Sequence, residues 1–552
     1  MVVAGLSLLV AAAVGRAAPT GFKQGGTLHV DLPVTDIDDI DPSIAYGTTA
    51  WHIEYSTALK LFNYPDAPGP RGSRLVPEGA TGYKVSNRGR TYTFTIRKGF
   101  RFSDGSPVRA VNYAFAINRA LGRDLQSPAF QFVADENATN IVGAQRVRDL
   151  GESKASGVRV RGNKLSITLT RPDGTFLSKL SMPWFQALPT NLSRTDKVIY
   201  VDSSRPLPSA GPYYVSERVP NRLVVLRKNR FYAKGVRNYM RRPTRLSQIE
   251  IETAADLEAS YEAVRASRDD YTYDLPPDAA EDLEEELGLK GRFRVRPTNC
   301  IYYIAMNSGG TGAGAALFRD NPSLRRAVNY AIDRKAMVEL SGDYTMLPHD
   351  QYLPGGLPGF RDIDAYPFEP DMAKAQALAQ GHVPRGGPWK YFYSLASPGP
   401  ERMQLVQEQL AKIGIEIDPQ GFRGYSIYDA AGKRNSPHAF ANRGWCQDYA
   451  DPYDFINILL YGGSIQEENN NNISYFNDPV YNRRMERAAK LTGDARLRAY
   501  TKLEHDLVTD AAPLAVWGEP AIQFFFGDRV DMRSFVYQPI YEAPPYNLLA
   551  LK

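Results

Sequence analysis

The chain has 552 residues, 43% hydrophobic and 23% charged, which excludes disorder throughout and is too long for one compact core. The net charge of +5 is a mild excess. Its densest stretch, Arg237 to Arg245, lacks interleaved stacking aromatics, so no nucleic-acid partner is expected.

Val2 to Val14 is an uncharged apolar run, too short to span a bilayer as an ordinary helix. Small residues follow, ending at Ala17 and Ala18 before Pro19, so residues 1–18 read as a signal-peptide-like segment. The basic start of such a segment is missing, and no Cys near it offers a lipid-anchor site. The expected place is exported, periplasmic or at the outer face of the cytoplasmic membrane.

Gly25 to Val30 reads as a turn and strand, Thr91 to Arg97 as an alternating strand, and Ser103 to Pro107 as a turn cluster. Arg109 to Leu121 carries Ala110, Tyr113, Ala114, Ile117 and Leu121 at helical spacing. Lys164 to Thr170, Leu223 to Arg227 and Leu246 to Ile251 are strand-like, and the acidic run Asp278 to Glu286 is a solvated helix face. Helices are expected over Ser323 to Leu340, Glu401 to Ile413, Pro479 to Leu491 and Ala495 to Val508. Strands at Tyr391 to Ser394 and Ile415 to Ile417 lie among them, and Glu467 to Asn472 reads as an exposed polar loop. The mixture argues α/β lobes. The 33 tyrosines serve packing or line an amphipathic cleft.

Catalytic and metal signatures are missing from this sequence. No two of the six His stand at i, i+4, and there is no CxxC, GxGxxG, Walker A loop or GxSxG elbow. No catalytic residue, metal site or cofactor is therefore assigned. The two cysteines, Cys300 and Cys446, suggest one disulfide in an exported chain, with two buried thiols as the alternative.

Several segments, in order, resemble the periplasmic oligopeptide- and dipeptide-binding family of ABC importers. They are LVPEGA at Leu75 to Ala80 with the following TYTFTIRKGFRFSDGSPVRAVNYAFAINR, then Gly211-Pro212-Tyr213 with LVVLRKNRFY, then Met306-Asn307 with NPSLRRAVNYAIDR at Asn321 to Arg334. WCQDYADP at Trp445 to Pro452 and DAAP at Asp510 to Pro513 complete the set. The resemblance implies an α/β, two-lobed periplasmic-binding-protein fold with an extra domain and a ligand cleft that closes by a hinge. Its implied division is lobe I in three pieces (25–62, 186–298, 511–552), an extra domain II (63–185) and lobe III (299–510). The implied function is capture of peptides, by a monomer, for an ABC importer permease in the membrane, without enzymatic activity. Alternatives are the same fold holding a sugar oligomer, nickel chelate or haem, or, from another class, a peptide hydrolase or signalling receptor.

The same resemblance supplies site residues. In the relatives, the Asp three residues after this Trp pairs with the ligand's α-amino group, which points to Asp448; a helix or turn cap before Pro452 is the other reading. Trp445 is the candidate to pack near the ligand's first residue, or else core, and Tyr449 lies beside Asp448. Asn442 stands where a relative has a carboxylate-reading Arg, with Arg443 adjacent, while Lys433 and Arg434 read as a solvated loop. The Tyr of the first cleft wall is replaced by Ala129 and Phe130. The relatives also carry a Cys before a "YYxxxN" strand and a partner after the Trp, so a Cys300–Cys446 bridge is implied.

Overall fold

The computed structural model describes residues 21–34, 37–134, 140–192, 201–234, 236–237, 242–253, 256–276, 278–423 and 426–552. The signal-peptide-like segment lies outside them.

Local chemistry shapes the elements. The Thr91–Ile96 strand alternates half-buried Thr with buried Tyr92, Phe94 and Ile96, as a period of two requires. The Ala110–Ala120 helix starts at Arg109, whose N–H donates to the Asn112 side chain at 2.8 Å. The helix expected over Ser323 to Leu340 is two helices, Pro322–Ala331 and Arg334–Glu339. Asp333 is the cause: its carboxylate accepts the Ala336 N–H at 2.9 Å and starts a second helix. The strand expected at Ile415 begins at Ile417, because Gly414, at φ +79°, turns the chain after the Gly399–Ala411 helix.

The polar tract departs from its surface reading, and the basic stretch is partly buried. In the polar tract Glu467, Glu468 and Asn469 are exposed, but Asn470 and Asn472 are buried, bonding the Gly432 and Phe476 carbonyls. In the basic stretch Arg242 is buried and pairs with Asp66 at 3.2 Å. The acidic helix, Ala279–Leu287, keeps Glu281, Asp282, Glu285 and Glu286 in solvent as expected.

A twelve-stranded mixed sheet runs through the molecule. Its long last strand, Leu514–Phe526, is buried over most of its length. Leu514 to Gly518 pairs antiparallel with Cys300–Met306, and Ala521 to Phe525 pairs with Phe293–Pro297. One strand therefore serves two regions: Leu514 and Val516 pack with Ile301, Tyr303 and Phe455, whereas Phe524 and Phe526 pack with Leu28, Val30, Ile249 and Ile251. A separate four-stranded antiparallel sheet (Ala80–Ser86, Thr91–Ile96, Lys164–Thr168, Val158–Arg161) packs on the Ala110–Ala120 helix through Phe94, Leu165, Tyr113 and Ile117.

Candidate ligand site at the end of the tryptophan strand

The strand carrying Trp445, Phe440–Cys446, runs antiparallel to Cys300–Met306, pairing Cys300 with Cys446, Ile301 with Trp445 and Tyr303 with Arg443. Cys300 and Cys446 form a disulfide across this register. Side chains alternate, so Arg443 and Trp445 share one face and Asn442 and Gly444 the other. The Asn442 side chain accepts the Trp517 Nε1–H at 3.2 Å, which ties it to the opposite face.

After Cys446 the chain turns through a tightly bonded segment. The Gln447 N–H donates to the Asn299 carbonyl at 3.0 Å, and the Asp448 N–H to Asp454 Oδ2 at 2.7 Å. Asp451 Oδ1 accepts the Tyr453 N–H at 2.9 Å at the start of the Tyr453–Leu460 helix, and Arg496 binds the same carboxylate at 2.8 and 2.9 Å. Asp451, not Asp448, thus bonds the start of the helix.

The Asp448 carboxylate accepts the Tyr46 hydroxyl at 2.8 Å, a contact between residues 402 apart in sequence. Asp454 is buried behind it, and its Oδ1 has no hydrogen-bond partner. Burial raises the Asp448 carboxyl above its ordinary range, opposed in part by the Tyr46 bond. Burial, then the neighbouring Asp448 charge, holds Asp454 well above its ordinary range. No salt bridge joins either acid to a cation among the described residues. Two adjacent acids without a cation form a site that a positively charged group would relieve.

Trp445 is half-buried against the core that holds Tyr303 and Phe455, and its Nε1–H has no acceptor. Arg443 is 5% exposed and lies over the Tyr428 ring at 3.9 Å. Tyr449 is buried in the other core, edge-on to Phe132 at 6.1 Å, so it fastens this segment to the four-stranded region. Phe130 is half-buried under the Arg148 guanidinium at 3.9 Å. Lys433 is exposed and Arg434 pairs with Glu467 at 2.8 Å, as a surface loop would. Sequence reasoning missed Tyr46 and Asp454. Asp454 had a faint signal, as a further acid close behind Asp448 and Asp451; Tyr46 had none.

Residues 74–467 match the family described as "Bacterial extracellular solute-binding proteins, family 5 Middle". The chain belongs to that family. Proteins similar to it include the heme-binding protein A of Haemophilus influenzae, 26% identical over 80% of this chain and 78% of that one. Another is the periplasmic murein peptide-binding protein MppA of Escherichia coli, 25% identical over 93% of this chain and 91% of that one. A solved structure of MppA in its unliganded open form superposes with a TM-score of 0.79 at 22% identity, covering 97% of this chain and 99% of that one. The fold is thus the α/β periplasmic-binding-protein fold. Among the described residues, no helix is long and apolar enough to cross a membrane.

Proposed function

We propose that this family 5 protein captures peptides or peptide-like ligands outside the cytoplasm and delivers them to an ABC importer permease, acting as a monomer and without catalysis. The observation that carries the reading is the pair Asp448 and Asp454, adjacent acids of which Asp454 is buried and Asp448 half-buried, with no cation bound to either among the described residues. A peptide's α-ammonium supplies the missing charge, and a charge-assisted bond in so dry a place is among the stronger polar contacts. Trp445, at the same strand end, offers an aromatic surface for the first residue. The names of MppA and other relatives support a peptide as the ligand.

The proposed lobes follow the division given above except at the last boundary, which moves from 510/511 to Gly518 to Ala521, where the long strand leaves Cys300–Met306 for Phe293–Pro297. Together with Thr298 and Asn299, this passage forms the hinge.

Calorimetry with free tripeptides and their N-acetylated forms tests the reading. Free peptides should bind and acetylated ones should not. Equal affinity for both refutes the ammonium role, and fragments recovered from a peptide mixture refute the absence of catalysis. Haem is the second reading, favoured by the heme-binding relative. An absorbance titration with haemin that saturates at one equivalent, with no peptide binding, would establish it.

A further inference from the structure

Six arginines are buried in this molecule among the described residues: Arg119, Arg242, Arg325, Arg334, Arg443 and Arg496. Five are anchored by oxygen. Arg119 grips Asp41, Arg242 meets Asp66, and Arg496 grips Asp451. Arg325 donates to the Ala511 and Phe318 carbonyls, and Arg334 to those of Val516 and Asn329. Arg443 differs. Its Nε–H and Nη1–H are buried without any acceptor, and its one ring contact is with Tyr428.

Two more orphaned donors share its face. Tyr303 stands directly opposite Arg443 in the strand register, is fully buried, and its hydroxyl has no partner. Trp445, two residues along on the same face, has an orphaned Nε1–H. Directly opposed side chains in a sheet are about 5 Å apart at Cβ, and same-face neighbours along a strand about 7 Å. The three donors therefore bracket one small region. The Arg443 and Trp445 nitrogens only donate, the Tyr303 hydroxyl can donate as well as accept, and a guanidinium is always charged. A water molecule there would leave the charge uncompensated, whereas a carboxylate would answer the charge and offer acceptors for all the donors.

We infer that Arg443, Tyr303 and Trp445 form an anion subsite that takes a carboxylate of the bound ligand. The inference rests on the peptide reading above and narrows it to zwitterionic or acidic peptides. The subsite is distinct from the Asn442 position, which faces away and is held by Trp517. Arg443 stands five positions before Asp448, so the two backbone positions are separated by at most about 17 Å of extended chain. A short peptide can reach both, with its ammonium on Asp448 and a carboxylate on Arg443. That carboxylate is either the C-terminus or an acidic side chain.

The test uses calorimetry on the whole protein with three tripeptides: Ala-Ala-Ala, Ala-Ala-Ala-amide and Ala-Glu-Ala-amide. The wild type should bind at least one carboxylate-bearing peptide tenfold or more tightly than the neutral amide. Preference for the first assigns the C-terminus, and preference for the third the side chain. Arg443→Gln should bring the preferred peptide down to the affinity of the neutral amide and leave the amide unchanged. Its ligand-free melting temperature should stay level or rise, because an uncompensated buried charge has been removed. Equal affinities for all three in the wild type, with N-acetylation still abolishing binding, overturn the subsite while the ammonium reading stands. An Arg443→Gln variant that melts several degrees lower without ligand also overturns it, since that marks a structural arginine. If no peptide binds, the ammonium reading fails and the subsite is tested with succinate: thermal stabilisation of the wild type but not of Arg443→Gln supports it, and stabilisation of both or neither overturns it.

Discussion

Two groups of acids in this molecule obey opposite rules. Where the four-stranded region joins the rest, Asp41 is gripped by Arg119 at 2.5 Å and Asp173 holds Lys179 at 3.0 Å. Just after the tryptophan strand, Asp448 and Asp454 sit together with a tyrosine hydroxyl and backbone N–H groups for company. Burying a charge is costly, and at Asp41 and Asp173 the fold offsets it with a cation of its own. At Asp448 and Asp454 the fold supplies no such cation, which leaves the pair for another molecule's charge to complete. Asp451 sharpens the contrast, because it is three residues from both Asp448 and Asp454 yet fully matched by Arg496.

The comparison can be broken or refined by experiment. The largest effect should come from the disulfide, which underlies the acid pair. For the 146-residue separation it closes, chain entropy gives an upper figure of about 5 kcal/mol. Replacing Cys300 and Cys446 by Ser should lower the denaturant midpoint accordingly and also weaken ligand binding. Unchanged affinity would show that the bridge serves stability alone. Thiol titration of the denatured, unreduced wild type should find close to zero free thiols.

Next comes the matched side. Arg119→Ala strands Asp41 in the core and should cost about 3–5 kcal/mol in chemical denaturation, with ligand affinity intact where the variant remains folded. Asp448→Asn should do the reverse. It should weaken peptide binding by about 1.5–3 kcal/mol and leave the ligand-free melting temperature nearly unchanged. If Asp448→Asn unfolds as readily as Arg119→Ala, the distinction between the two groups fails.

A smaller effect should appear as protons. The raised Asp448 and Asp454 carboxyls favour their protonated forms in the ligand-free fold. Their contribution to stability is therefore complete below the ordinary carboxylate value of about 4 and is lost as pH rises through the raised folded value. An arriving ammonium favours the ionised pair and expels protons. Calorimetry in buffers of different ionisation enthalpy should show proton release on peptide binding, and affinity should rise with pH across the same window. Uptake, or no exchange at any pH between 4 and 8, would contradict the pairing. Smallest of all, Tyr46→Phe removes one hydrogen bond on Asp448, an effect of about 0.5–1.5 kcal/mol on the ligand-free protein by melting.

Much of this architecture is legible in the sequence where the signal is local. Period-two alternation places Thr91–Ile96 and Lys164–Thr168, and the 3.6 period places Ala110–Ala120 and Pro479–Lys490. The cysteine pair and the family segments carry the disulfide and the position of Asp448. What stayed hidden depends on partners distant in sequence. Nothing around Tyr46 announces a bond to residue 448, and the burial of Arg242 depends on Asp66, 176 residues earlier. Side-chain capping is local but competes with periodicity, and at Asp333 it prevailed and divided one expected helix into two. Tyr449 could be seen as an aromatic beside the site, but not that its ring belongs to the other core.

The long Leu514–Phe526 strand has a consequence for how the protein is made. Synthesis runs from the N-terminus, so this strand leaves the ribosome long after Phe293–Pro297 and Cys300–Met306. Until it does, Cys300–Met306 lacks its Leu514–Gly518 neighbour and Phe293–Pro297 its Ala521–Phe525 neighbour. Until then both strands must be carried with an open edge, which pairs readily with other chains. A polypeptide stopped before Leu514 is not a smaller version of this protein but two unfinished ones, and the cell's holding factors would meet it as such until that strand had closed both.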